Sequence, residues 1–231
     1  MRKLTTFMFL PFLLEGGEML RTADDVVARM LAADNERQAS LQGYTVSRHY
    51  TLENRNRHKH AEMVVRMICH QDGSKQFEVL SSDGWSIARK YIFPDLLEAE
   101  TDAARPKVRD RSRITPENYT FQLTGLDTVH DRLAYALEIE PKTPNKYLAR
   151  GRIWVDAEEF AIVRVEGEPA KNPSFWTKKV HFVHEYDKTG PFWFPVSDRS
   201  ITDARLLGST EMTIEYFDYV PYNSLESMAL R

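Results

Sequence analysis

The chain of 231 residues holds one cysteine, Cys69. A single thiol excludes an intramolecular disulfide, a CxxC redox pair and a thiolate zinc site. Its setting, "VVRMICHQ", reads as a strand in which a lone cysteine is a small hydrophobe rather than a nucleophile. A surplus of either charge is missing too. The formal net charge is −3, no half is strongly basic, and the runs "RNRHKH" (Arg55 to His60) and "RPKVRDRSR" (Arg105 to Arg113) lack interleaved aromatics, so nucleic acid is not an expected partner. There is no G-x-S-x-G elbow, no glycine-rich phosphate cradle and no H-E-x-x-H pair. These absences lower the odds of an enzyme, and neither cofactor nor metal is expected.

Long apolar runs are also scarce. "LTTFMFLPFLL" behind "MRK" has the length and cationic start of a signal h-region and is too short to span a bilayer. The following "EGGEML" lacks a small-x-small cleavage pattern. Residues 1–21 therefore read as an atypical signal, an uncleaved anchor, or upstream sequence ahead of a true start at Met19, with export favoured.

What is present is alternation. "TADDVVARMLAADNERQASLQ" (Thr22 to Gln42) predicts a helix with a capping box from Thr22 and Asp25, an apolar stripe of Val26, Val27, Met30 and Leu31, and a stop at Gly43. From Gly43 the period becomes two. "YTVSRHYTLE", "AEMVVRMICHQ", "KQFEVLSS" and "WSIARKYIF" (Trp85 to Phe93) read as strands between turn-forming stretches. "PDLLEAETDAA" (Pro94 to Ala104) predicts a short helix and is followed by a charged loop to about Thr115. Seven further strand patterns run to "STEMTIEYFDYV". About eleven strands and two helices result. Sequential strands in that number curl, so the expected architecture is mainly β (α+β): an open, strongly curved antiparallel half-barrel with helices over its concave face. Residues 22–220 form one domain, and 221–231 read as a tail.

The acidic residues of "GRIWVDAEEFAIVRVEGE" invite a catalytic reading, but Asp156, Glu158 and Glu159 fall in a hairpin turn, where carboxylates splay into solvent. His181 and His184 lie on a strand at i, i+3 and point to opposite faces. His58 and His60 sit among Arg55, Arg57 and Lys59, which repel a cation. The distinctive feature is apolar surplus on both strand faces: Ile153 and Val155 oppose Trp154, and Ala161, Val163 and Val165 oppose Phe160 and Ile162. One face packs the helices; the other meets a loop, a ligand or a partner.

"GRIWVDAEEFAIVRVEGEPAKNPSFW", "HFVHEY", "GPFWFPVSDRS" and "TIEYFDY" together resemble the LolA-like outer-membrane lipoprotein-sorting group of the bacterial lipoprotein carrier family, over roughly Ala23 to Tyr219. That resemblance implies a hydrophobic cavity between sheet and helices and a periplasmic, non-catalytic protein that binds acyl chains of lipoproteins or other envelope lipids. It also implies exchange with a membrane-bound donor or acceptor protein. Phe77, Val79, Trp85, Ile87, Phe121, Leu123, Ile153, Val155, Val163 and Phe182 are the cavity candidates. The family's lid-latching arginine has three strand candidates here, Arg48, Arg66 and Arg89. The alternative is an envelope regulatory or scaffolding domain that binds a protein partner; a hydrolase would need a polar cleft with converging titratable groups.

Overall fold

A computed structural model describes residues 21–145, 147–171, 177–204 and 208–222. Of the expected signal or anchor segment, 1–21, residues 1–20 lie outside the described residues, as do residues 223–231 of the expected tail, 221–231.

Helix α1 (Ala23–Ser40) starts as its sequence dictates: the Thr22 hydroxyl accepts from Asp25 N at 3.2 Å, and the Asp25 carboxylate accepts in return from Thr22 N at 3.4 Å. Val26, Val27 and Met30 are buried, while the last two turns stay largely in solvent. The helix stops before the expected glycine. Gly43 instead opens strand β1 with φ 138°, where a Cβ would lie 2.6 Å from the Cys69 carbonyl oxygen.

The strands are β1 (Gly43–Asn54), β2 (Lys59–His70), β3 (Lys75–Gly84), β4 (Tyr119–Val129), β5 (Arg132–Pro141), β6 (Ala149–Asp156), β7 (Ile162–Pro169), β8 (Thr177–Thr189), β9 (Phe192–Ala204) and β10 (Gly208–Tyr222). They form one open antiparallel sheet in the order β3-β2-β1-β10-β9-β8-β7-β6-β5-β4. The chain walks outward from the middle through β1 to β3, crosses to the far edge, and walks back until β10 pairs with β1. That crossover carries helices α2 (Phe93–Ala103) and α3 (Pro106–Ser112). An open, curved half-barrel with few helices is the fold expected from the alternation. No helix among the described residues is long and apolar enough to cross a membrane.

Ten strands are present rather than eleven, because "WSIARKYIF" is helical: a π-turn at Ala88–Ile92 runs straight into α2. Two physical causes override its period-two pattern. Gly84, at φ 84°, ends β3 where a Cβ would lie 2.4 Å from the His60 carbonyl oxygen. Beyond it, helical winding buries Ala88 and Phe93 against Tyr50 and Met63, with Leu96 and Leu97 packed alongside, and leaves Ile87 and Tyr91 outside. The charged run after α2, expected as a loop, contains α3.

Among the described residues the core has three parts. Under α1, Val26, Val27 and Met30 meet Leu137, Ile139, Ile153, Val155 and Val165. Under α2, Phe93 meets Tyr50, Leu52, Met63, Val65 and Ile214. On the other side of the β5–β7 strands, Ala134, Ala136, Trp154 and Val163 form a smaller cluster. This third cluster explains the apolar surplus on both faces. Val163 was expected beside Val165, but a β-bulge opposite Trp154 and Val155 makes Val163 an extra residue and turns it outward. The same bulge brings Phe160 and Ile162 to the α1 side.

Candidate functional site

Two cavities lie on the helix-covered face. The larger, about 380 Å³, sits between α2 and the middle strands; Leu96 of α2, Pro195, Met212 and Ile214 give it apolar walls, and Arg48, Glu100, Asp198 and Tyr216 a polar floor. The smaller, about 260 Å³, sits beneath the C-terminal half of α1, against Met30, Leu31, Ile114, Ala161 and Ile162. Tyr186 borders both, which places α1 and α2 over the same face.

The polar floor is built from the sheet upward. Arg48 sits on β1 at 3% exposure, because the inward positions of this strand alternate from Val46 to Asn54. Its Nη1 donates to both carboxylate oxygens of Glu100 on α2, at 3.0 and 2.8 Å, and to the Tyr50 hydroxyl at 3.0 Å. The guanidinium stacks over Tyr216 at 4.8 Å and Phe77 at 5.7 Å from the ring centroids. Lys75 Nζ, on β3, reaches the same carboxylate at 3.3 Å. Burial by itself would raise the Glu100 carboxyl, but the charges of Arg48 and Lys75 and their hydrogen bonds outweigh it and hold Glu100 below the usual glutamate range. Burial pushes the Tyr216 phenol up, and so does the Asp198 carboxylate that its hydroxyl touches. The other Asp198 oxygen lies 2.5 Å from His184 Nδ1.

Helix α1 is tied down at its far end. Arg37 donates from Nη1 to the Glu159 carbonyl at 3.1 Å and from Nη2 to the Phe160 carbonyl at 3.5 Å. The turn that receives it is the acidic stretch noticed in the sequence. Glu158 is solvated there, but Asp156 is 1% exposed: its carboxylate accepts from Glu158 N at 3.0 Å, Glu159 N at 2.7 Å and Arg132 Nε at 2.6 Å. Burial would raise the Asp156 carboxyl, and the hydrogen bond from Arg132 with those from the two amides brings it below the ordinary range instead. Its role is to hold the turn.

His181 faces outward toward Glu166 and His184 inward toward Asp198, the opposite-face geometry expected of their spacing. Among the described residues no group of three or more His, Cys, Asp or Glu side chains is placed to hold a metal. A more voluminous depression, about 820 Å³, lies on the outer face of β4–β8 and is open. Cross-strand ion pairs fill it: Arg150–Glu140 and Arg152–Glu138 at 3.4 Å, His181–Glu166 at 3.5 Å. Volume alone therefore misleads; this surface behaves as a solvated sheet face.

The ten candidate residues divide. Ile153 and Val155, with Phe121, Leu123 and Phe182 half-buried beside them, come together under α1, and Phe77 and Trp85 pack into the cluster under α2. Val79 on the edge strand is 50% exposed and Ile87 is 41% exposed, so neither lies in the interior, and Val163 packs on the outer side. None of the ten borders either cavity on the helix-covered face. The residues that do, including Tyr186, Met212, Ile214 and Tyr216, lie in strands whose facing the alternation left open by one residue. Of the three arginine candidates, Arg48 bridges sheet to helix; Arg66 pairs with Glu78 on the surface at 3.3 Å, and Arg89 is exposed in the π-turn.

No family model and no curated protein sequence matches the chain. Similar solved structures include a DUF1329 family protein from Desulfovibrio piger (11% identity, 91% of this chain and 97% of that one, TM-score 0.44). Two others are a domain named for outer membrane lipoprotein sorting from Vibrio parahaemolyticus (12%, 87% and 95%, 0.40) and a LolA superfamily protein from Nitrosomonas europaea (12%, 90% and 97%, 0.38).

Proposed function

We propose that this protein is a non-catalytic, periplasmic carrier that holds an acyl chain of a lipoprotein or another envelope lipid between its helices and the concave sheet. The observation that carries this reading is the pair of cavities under α1 and α2, both bordered by Tyr186 and roofed by helices held to the sheet through Arg37 and the Arg48–Glu100 pair. A volume of about 380 Å³ falls at the low end of the ~300–1,000 Å³ typical of ligand sites, so a long chain requires the roof to lift. Each buried methylene contributes about 0.8 kcal/mol, which is enough for capture without chemistry. In this reading the Arg48–Glu100 bond latches α2 in the empty state. Native mass spectrometry with solvent extraction of the purified protein tests it: co-purifying lipid, or uptake of a fluorescent acyl probe, is expected, and failure of both refutes it.

A second reading, an envelope regulatory or scaffolding domain that binds a protein partner, draws on the sheet edges. Strands β3 and β4 each pair on one side only, and β3 exposes Val79 at 50% and Leu80 at 45%. A lipid-free protein that captures an extended peptide along β3 would favour it.

A further inference from the structure

The charges around the larger cavity are divided unevenly between sheet and lid. Arg48 on β1 and Lys75 on β3 belong to the sheet, and the carboxylate that answers both, Glu100, belongs to α2. Asp198, the other carboxylate bordering this cavity, is occupied by His184 and by the Tyr216 hydroxyl. Arg199, also at the rim, is paired with Glu211 at 2.6 Å. Even with α2 closed, Arg48 Nε has no hydrogen-bond partner although the residue is 3% exposed. Lifting α2 to admit a ligand removes Glu100 and leaves two sheet-borne cations without it beside Met212 and Ile214. A neutral chain closing over that site would bury a guanidinium stripped of its partner, which is strongly unfavourable. A ligand that brings its own anion repairs the site, since a carboxylate or phosphate matches the planar fork that Arg48 presents.

We infer that the α2 cavity selects a single-chain amphiphile with an anionic head, a carboxylate or a phosphate monoester, which replaces Glu100 on Arg48 and Lys75 while the chain runs along the sheet residues Met212 and Ile214. This rests on the acyl-carrier reading and narrows it to a ligand class. The swap is an ion-pair exchange: no covalent bond changes, and Glu100 passes to solvent with the lid.

The test is displacement of the neutral fluorophore N-phenyl-1-naphthylamine from the full chain at pH 7.5 by four twelve-carbon competitors: laurate, lauroyl lysophosphatidate, methyl laurate and dodecanol. Wild type is expected to favour the two anions by about tenfold or more over the ester and the alcohol, the scale of one charge-assisted pairing. Between them, laurate and lysophosphatidate identify which head is preferred. Lys75→Met, at a partly exposed position, and Arg48→Met are expected to collapse the preference toward unity, the anions losing affinity relative to the ester, and Glu100→Gln to enlarge it. Equal displacement by acid and ester in wild type, or a preference that survives in folded Lys75→Met and Arg48→Met, overturns the inference and leaves the carrier reading standing. Should the fluorophore fail to bind and none of the four compounds appear in native mass spectra, the carrier reading itself falls.

Discussion

Removing the Glu100 carboxylate should destabilise the protein more than removing the arginine it holds. Glu100→Ala leaves Arg48, whose side chain is 4% exposed, buried with the Tyr50 hydroxyl as its remaining hydrogen-bond acceptor among the described residues and no carboxylate partner. Stranding one member of a buried pair costs about 3–5 kcal/mol, and the 22% exposure of Glu100 places this case near 3. Arg48→Met takes the buried charge away, keeps an apolar side chain between Tyr216 and Phe77, and leaves Glu100 its contact with Lys75, so about 1–2 kcal/mol is expected. The double variant Arg48→Met with Glu100→Ala should then cost well under the sum of the singles, because no buried charge is left stranded. Urea unfolding followed by tyrosine and tryptophan fluorescence gives all three values in a double-mutant cycle. If Arg48→Met proves the costlier single variant, or both cost under ~0.5 kcal/mol as an exposed pair would, the reasoning about the buried floor is wrong.

Further outcomes follow from the same geometry. Because Glu100 ionises below the ordinary glutamate value of about 4.3, its stabilisation is complete above that pH and is lost as pH falls through its folded pKa. The acid limb of a stability–pH profile should therefore be shallower in Glu100→Gln than in wild type. Asp156→Ala strands two amide donors and Arg132 in the β6–β7 turn and should cost about 2–3 kcal/mol in urea unfolding, whereas Glu158→Ala next to it should be near neutral. Thr22→Ala removes the capping box and should cost about 1 kcal/mol, with hydrogen exchange accelerated first in the opening turn of α1. Tyr186→Ala should join the two cavities and raise the affinity for sixteen-carbon over twelve-carbon probes relative to wild type.

Much of the fold was legible because a half-buried strand writes its period into the chain. Ten of the eleven expected strands are strands, and α1 begins at the capping box its residues spell. "WSIARKYIF" was misread because alternate apolar residues, a terminating Gly84 and a following proline are compatible with a strand or a helix until the contact between Phe93 and Tyr50 decides. The site was far less legible. Tyr186 and Tyr216 carry no motif, and Arg48 stood in the sequence only as one of three arginines that the family resemblance offered for a latch.

Local chemistry thus determined ten of the strands, the exclusion of an intramolecular disulfide by the single Cys69, and the curved antiparallel class. Those depend on interactions within a few residues, which the sequence displays directly. Tertiary structure decided which face each strand turns inward, since one bulged residue at Val163 reverses a face without altering the pattern. It also decided that Arg48 and Glu100, 52 positions apart, meet beneath α2. That meeting depends on the crossover from β3 to β4 laying α2 over β1, a long-range arrangement that no local spacing encodes.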